Sequence, residues 1–152
     1  MFPFQKILCP TDFSEASLCG LKMASEMAEK FGSEVIIVYV NTSIQHLPSP
    51  QVEVSEITFD IAAYEKQVSD QAHANLASVS ASIFPAGVEP QLEVRIGHPA
   101  QEIIAVADEE KVDAIFMATH GRTGLKHIVF GSVAERVVSR ANCPVLTMHR
   151  CD

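Results

Sequence analysis

The chain has 152 residues, enough for one hydrophobic core and about one domain. It is 47% hydrophobic and 20% charged, with a net charge of -8, which excludes a broad nucleic-acid surface because such surfaces need clustered Lys and Arg. One small anion pocket stays open, since a local potential can oppose the net charge.

"MFPFQKILCPTD" has no basic region followed by a long apolar stretch, so no signal peptide is read at the start. No apolar run nears the roughly 20 residues of a bilayer span, so no membrane partner is expected. Cys9, Cys19, Cys143 and Cys151 form no C-x-x-C pair and have no zinc-like spacing with His. They read as free thiols, which points to a reducing cytoplasm.

"KILCPTD" is a short apolar strand ending in a turn. The next stretch carries Leu18, Leu21, Ala24, Ala28 and Phe31 near a helical period, with Ser14 to cap it and Gly32 to stop it. "EVIIVYVN" is a nearly continuous β-branched run, the pattern of a strand buried on both faces. Residues 42–59 hold Pro48 and Pro50 without clean periodicity and read as a long, mobile loop, in which "QVEVSEI" is a weak candidate strand.

A helix is expected over 61–84, with Val68, Ala72, Leu76, Val79 and Ile83 on its stripe. "VEPQLEVRIG" predicts a strand. "HPAQEIIAVADEEK" predicts a helix with Pro99 in its first turn and Ala100, Ile103, Ile104 and Ala107 facing inward. "VDAIFMATHG" is a buried strand and turn. "GSVAERVVSRAN" is a helix with Val133, Val137 and Val138 inward, and "CPVLTMH" is the last strand. Strands alternating with helices imply one α/β domain over residues 1–152. It would be an open, mostly parallel five-stranded sheet with helices on both faces and right-handed crossovers.

In such sheets ligands bind beyond the carboxyl ends of strands, where the strand order reverses. Two strand ends carry polar groups, "PTDFS" after the first and "ATHGRTG" after the fourth. If those strands are neighbours, their ends make one crevice. From Ala114 to Ala134 there is no carboxylate, although the chain as a whole is acidic. Gly121 lets a backbone approach an anion closely, Arg122 can clamp one, and Gly131-Ser132 opens a helix whose amides point outward. The same residues also suit plain turns and a solvated basic loop. No Walker loop, dinucleotide fingerprint or nucleophile elbow is present, and "RIGHP" ends the third strand without the aspartate that a phosphoacceptor needs.

The whole chain resembles the universal stress protein family, from "KILCPTDFSEAS" through "GSVAERVVSRANCPVLTM". Nucleotide-binding members carry G-x2-G-x9-G-[ST] after the fourth strand. Here the spacing is kept as Ala118-x2-Gly121-x9-Gly131-Ser132, with alanine at the first glycine. The resemblance implies a cytoplasmic stress-response regulator that binds ATP or AMP, with Mg possible beside ATP, and that pairs as a homodimer through its last strand. Its protein partner is not implied. Asp12 matches the ribose position, in a turn shaped by Pro10 and Thr11. Val40 matches the adenine position, and Met117 and Ala118 line the nucleotide. Gly121, Gly131 and Ser132 match the phosphate contacts, with Arg122 and Val133 close by. Other readings stand beside these: Asp12 or Ser132 as helix caps, Val40 as plain core. At the level of function the alternatives are a slow ATPase, with His120 or Asp12 assisting, and a member that works through protein contacts alone.

Overall fold

The computed structural model describes residues 3–42, 61–119 and 131–149. In chain order it contains β1 (Lys6–Pro10), α1 (Glu15–Phe31), β2 (Glu34–Asn41), α2 (Ile61–Ile83), β3 (Gln91–Ile96), α3 (Pro99–Glu109), β4 (Ala114–Ala118), α4 (Ser132–Arg140) and β5 (Val145–Met148). The proline-bearing stretch after β2, including "QVEVSEI", lies outside the described residues apart from Thr42.

The sheet order is β3-β2-β1-β4-β5. All four pairings are parallel, as the β-α-β alternation requires. β1 and β4 are therefore neighbours, and the order reverses between them. The chain winds outward through β2 and β3 on one side, and through β5 on the other.

Alternate residues of each strand feed two cores. Leu8, Ile36, Val38, Ile115 and Met117 face α3 and α4, where they meet Ile103, Val106, Ala134 and Val137. Ile7, Cys9, Ile37, Ala114 and Phe116 face α1 and α2, where they meet Leu21, Ala24 and Leu76. Each strand residue thus enters one layer or the other, which is why the β2 run looks unbroken in sequence.

Helix ends follow local chemistry. Ser14 caps α1 by accepting from the Ser17 N–H at 3.2 Å. Gly32 closes that helix in the left-handed region at φ 72°, a conformation cheap for glycine. Two inward assignments change. Val138 on α4 is 46% exposed, and Ala134 takes the inward position instead. On α3, Val106 is fully buried while Ile104 is only half-buried. Three consecutive apolar residues, as in "IAV", leave the phase of a short helix ambiguous by one position.

At the amino end of the sheet, one Asp113 carboxylate oxygen accepts from the backbone N–H of Gln5 at 2.7 Å and of Lys6 at 2.9 Å. These two bonds hold the Asp113 carboxyl below its ordinary pKa. They tie the entry of β1 to the entry of β4, at the end opposite the crevice.

Cys9 and Cys143 are free thiols. Burial pushes the Cys9 thiol far up, so it is inert as a nucleophile. Cys19 departs from the free-thiol reading: it is disulfide-bonded. Among the described residues, no helix is long and apolar enough to cross a membrane.

The tightest helix-sheet contact is at Gly20 on α1. A Cβ built there would sit 2.8 Å from the Phe116 carbonyl oxygen of β4. Backbone cannot yield as a flexible side chain can, so α1 must move outward if this site gains a methyl. Gly20→Ala should lower stability by about 1–3 kcal/mol despite the better helix propensity of alanine. Urea denaturation should show a lower midpoint with an unchanged slope.

Candidate functional site

The reversal between β1 and β4 leaves a cleft at their carboxyl ends, on the α3 and α4 side of the sheet. Its volume is about 400 Å³. The floor is apolar, from Val38 and Val40 of β2, Met117 of β4 and Ile103 of α3. One polar wall comes from the turn after β1 and the other from the start of α4.

The first wall is a turn locked by its own side chains. Thr11 Oγ1 accepts from the Phe13 N–H at 3.1 Å, and Asp12 Oδ1 accepts from the Ser14 N–H at 3.0 Å. Each bond spans two residues, the pattern by which Thr and Asp side chains mimic a backbone turn. Asp12 Oδ1 also accepts from the Ser14 hydroxyl at 2.5 Å. Behind it, the buried Thr11 hydroxyl meets the Ser17 hydroxyl at 2.9 Å, and Ser17 Oγ donates to the Ser14 carbonyl at 2.8 Å. Four side chains thus hold one another in place.

Between them, Phe13 adopts φ 64°, a left-handed conformation that costs a non-glycine residue about 1–3 kcal/mol. The ring of Phe13 packs on Tyr39 with centroids 4.8 Å apart, which offsets part of that cost. The capping alternative for Asp12 resolves here: Ser14 caps α1, and Asp12 grips Ser14 from the cleft side.

The opposite wall is the amino end of α4. Gly131, not Ser132, is the N-cap residue; Ser132 is the first helical residue and is exposed. The Gly131 N–H already donates to the Thr119 carbonyl at 2.7 Å. Its amide is therefore engaged within the protein. The amides of Ser132, Val133 and Ala134 belong to the first helical turn, which has no carbonyls behind it to bond. They give this end of the cleft its donors and the positive end of the helix dipole.

Of the eleven residues singled out in the sequence, nine line this cleft: Pro10, Thr11, Asp12, Val40, Met117, Ala118, Gly131, Ser132 and Val133. Gly121 and Arg122, with His120, lie outside the described residues. Ala118 is the last residue of β4 and is 8% exposed, so its methyl forms part of the cleft surface.

Ser17, Val38, Ile103 and Thr119 also line the cleft and were missed. Val38 had a signal, since it lies two residues before Val40 on the same face of a strand. Ser17 stands one turn beyond the cap, where a hydroxyl can reach back. Ile103 had none: its place depends on how α3 crosses the sheet.

The pattern of the universal stress protein family matches residues 3–149. The chain belongs to that family. Universal stress protein MJ0531 of Methanocaldococcus jannaschii is 36% identical over 147 residues, covering 97% of this chain and 83% of that protein. The solved structure of MJ0577, from the same organism, superposes with a TM-score of 0.77 at 29% identity and covers 97% of each chain. Two more distant structures share the fold. A universal stress protein in complex with cAMP has a TM-score of 0.64 at 18% identity, covering 96% of this chain and 97% of its own. One from Archaeoglobus fulgidus in complex with dAMP has a TM-score of 0.60 at 22% identity, covering 97% and 98%.

The first wall makes its own test available. Ser14→Ala removes both the helix cap and the hydroxyl bond to Asp12, and leaves the backbone N–H bond to that carboxylate. It should cost about 1 kcal/mol of stability. It should also raise amide exchange at Phe13 and Ser17 more than in the rest of α1, which hydrogen exchange would measure.

Proposed function

We propose that this protein binds an adenine nucleotide, ATP or AMP, in the cleft between the β1 turn and the start of α4, and acts as a stress-response regulator. The observation that carries the reading is the pairing of β1 with β4. It sets a fixed carboxylate, an apolar floor and an uncapped helix start around one space. The floor of Val38, Val40, Ile103 and Met117 suits a purine ring. Asp12, held on its turn, suits ribose hydroxyls. The first amides of α4, with Ser132, suit phosphate. The two family structures bound to dAMP and cAMP support an adenine nucleotide as the ligand.

A regulator is favoured over an ATPase by what surrounds these groups. The phosphate end is built of amides and a hydroxyl, which hold charge but do not activate water. Asp12 stands at the ribose end and has Oδ1 committed to Ser14. Magnesium would accompany ATP through phosphate and water ligands. In this reading the nucleotide biases which conformation or protein partner the chain favours.

Calorimetry on the purified chain tests this. AMP and ATP should bind, and Asp12→Ala should weaken both by about tenfold, the loss of one charge-assisted hydrogen bond. Absence of binding by either nucleotide overturns the reading. Phosphate release under excess Mg-ATP should fall far below the usual enzymatic range of about 1 to 1,000 per second. Turnover near one per second that is lost in His120→Ala would make the protein an ATPase.

The same reading includes a homodimer through β5. That strand is an edge of the sheet, and Leu146 on it and Val138 on α4 are exposed apolar side chains. An apolar edge favours pairing with another chain, and two-fold symmetry closes it. Sedimentation should give a dimer at micromolar concentration, weakened by Leu146→Pro, which removes a backbone donor. A monomer in the unmodified chain rejects it.

A further inference from the structure

Phe13, in the turn after β1, has φ 64°; among the described residues only one other non-glycine residue, Lys111 at φ 51°, has a positive φ. Glycine takes this conformation without a Cβ clash and is its usual occupant. A turn that needed the backbone shape alone would do best with glycine. The side chain kept here against that preference is an aromatic ring with a specific contact.

The ring packs on Tyr39 with centroids 4.8 Å apart and planes inclined by 36°. Both rings lie on the α1 and α2 face of the sheet, against the layer that holds Ile7, Cys9 and Phe116. Tyr39 stands on β2 between Val38 and Val40, whose side chains face the other way and floor the cleft. Asp12 lines that cleft, whereas Phe13 is anchored on the opposite face. A single step along the chain thus crosses the end of the sheet.

The backbone on either side of this step is fixed. The Thr11 N–H donates to the Val38 carbonyl at 2.9 Å, which continues the β1–β2 ladder into the turn. Ser14 is the cap of α1. Between these two points lie only Asp12 and Phe13, and the amides on either side of the Phe13 Cα are both bonded by side chains of the turn. The conformation of Phe13 therefore decides where the carboxylate of Asp12 stands.

We propose that Phe13 is a positioning residue for ribose recognition: its ring, pinned on Tyr39, holds the backbone that aims Asp12, and so sets a preference for a ribonucleotide over a 2′-deoxyribonucleotide. The inference rests on the nucleotide reading of the cleft, with Asp12 as the ribose contact. A carboxylate accepts from both ribose hydroxyls only when each lies within hydrogen-bond reach, and such bonds weaken steeply with misalignment. Without the ring the turn loosens and the 2′-hydroxyl bond is lost. The apolar floor is untouched, because Val38 and Val40 point away from the two rings.

Calorimetry of the full chain with AMP and dAMP tests this in two variants. Phe13→Gly keeps the turn conformation accessible and removes the ring; Phe13→Tyr keeps the ring. The unmodified chain should bind AMP about tenfold more tightly than dAMP, the weight of one hydrogen bond to a charged group. Phe13→Gly should bring the two within about twofold through a loss of AMP affinity, and Phe13→Tyr should restore the preference. In an Asp12→Ala background, Phe13→Gly should lower AMP affinity no further, because the two residues act as a unit. A ring that serves packing alone would lower AMP and dAMP alike, with or without Asp12. Either of those results overturns the proposal, as does equal binding of AMP and dAMP by the unmodified chain. Should circular dichroism show Phe13→Gly unfolded, Tyr39→Leu removes the same ring contact from the strand side and carries the same expectations. Failure of the parent reading is distinct: no adenine nucleotide then binds even the unmodified chain, and the positioning role falls with it. AMP binding that Asp12→Ala weakens, with an unchanged AMP-to-dAMP ratio in Phe13→Gly, removes only the role of Phe13.

Discussion

The depth at which α1 lies on the sheet governs much of this molecule. Gly20 lets the helix approach β4 so closely that an added Cβ would meet the Phe116 carbonyl oxygen at 2.8 Å. Because α1 begins right after the β1 turn, its seating fixes where that turn stands relative to β4. The Cys9 thiol supports the same contact from β1, reaching toward the Gly20 carbonyl at 3.8 Å. A bulkier residue would shift the helix and carry Asp12 with it. Packing on one face of the sheet thereby sets the width of a cleft on the other.

Within the cleft, rigidity and charge are separated in space. The β1 turn is stiff because four hydroxyl or carboxylate side chains satisfy one another, and because a strained Phe13 is pinned by a ring contact. The α4 start offers backbone donors because no side chain caps its first turn. An acidic chain can thus gather backbone donors at one point without a basic surface.

Local features were legible in the sequence. Ser14 and Gly32 marked the bounds of α1, and the β-branched runs marked the strands, because caps and strand burial depend on neighbours a few residues away. The adjacency of β1 and β4 was conditional until the sheet was seen, because it is a pairing between residues over a hundred positions apart. The spacing from Ala118 to Ser132 picked out residues that line the cleft, yet it could not show that the Gly131 amide is engaged by Thr119. Val138 was read inward because three valines crowd one helix, and only the crossing of α4 over the sheet chooses among them.

That bond from Gly131 to Thr119 has a further effect. It joins the chain where it leaves β4 to the chain where it enters α4, at 2.7 Å. The Thr119 N–H in turn donates to the Met148 carbonyl of β5 at 2.9 Å, so the junction is anchored in the sheet. Insertions, deletions or new side chains between these two anchors need not disturb the strand or the helix start. The strand end and the helix start are held by backbone bonds of their own, so evolution, or a protein engineer, can treat the residues that join them as a replaceable cassette.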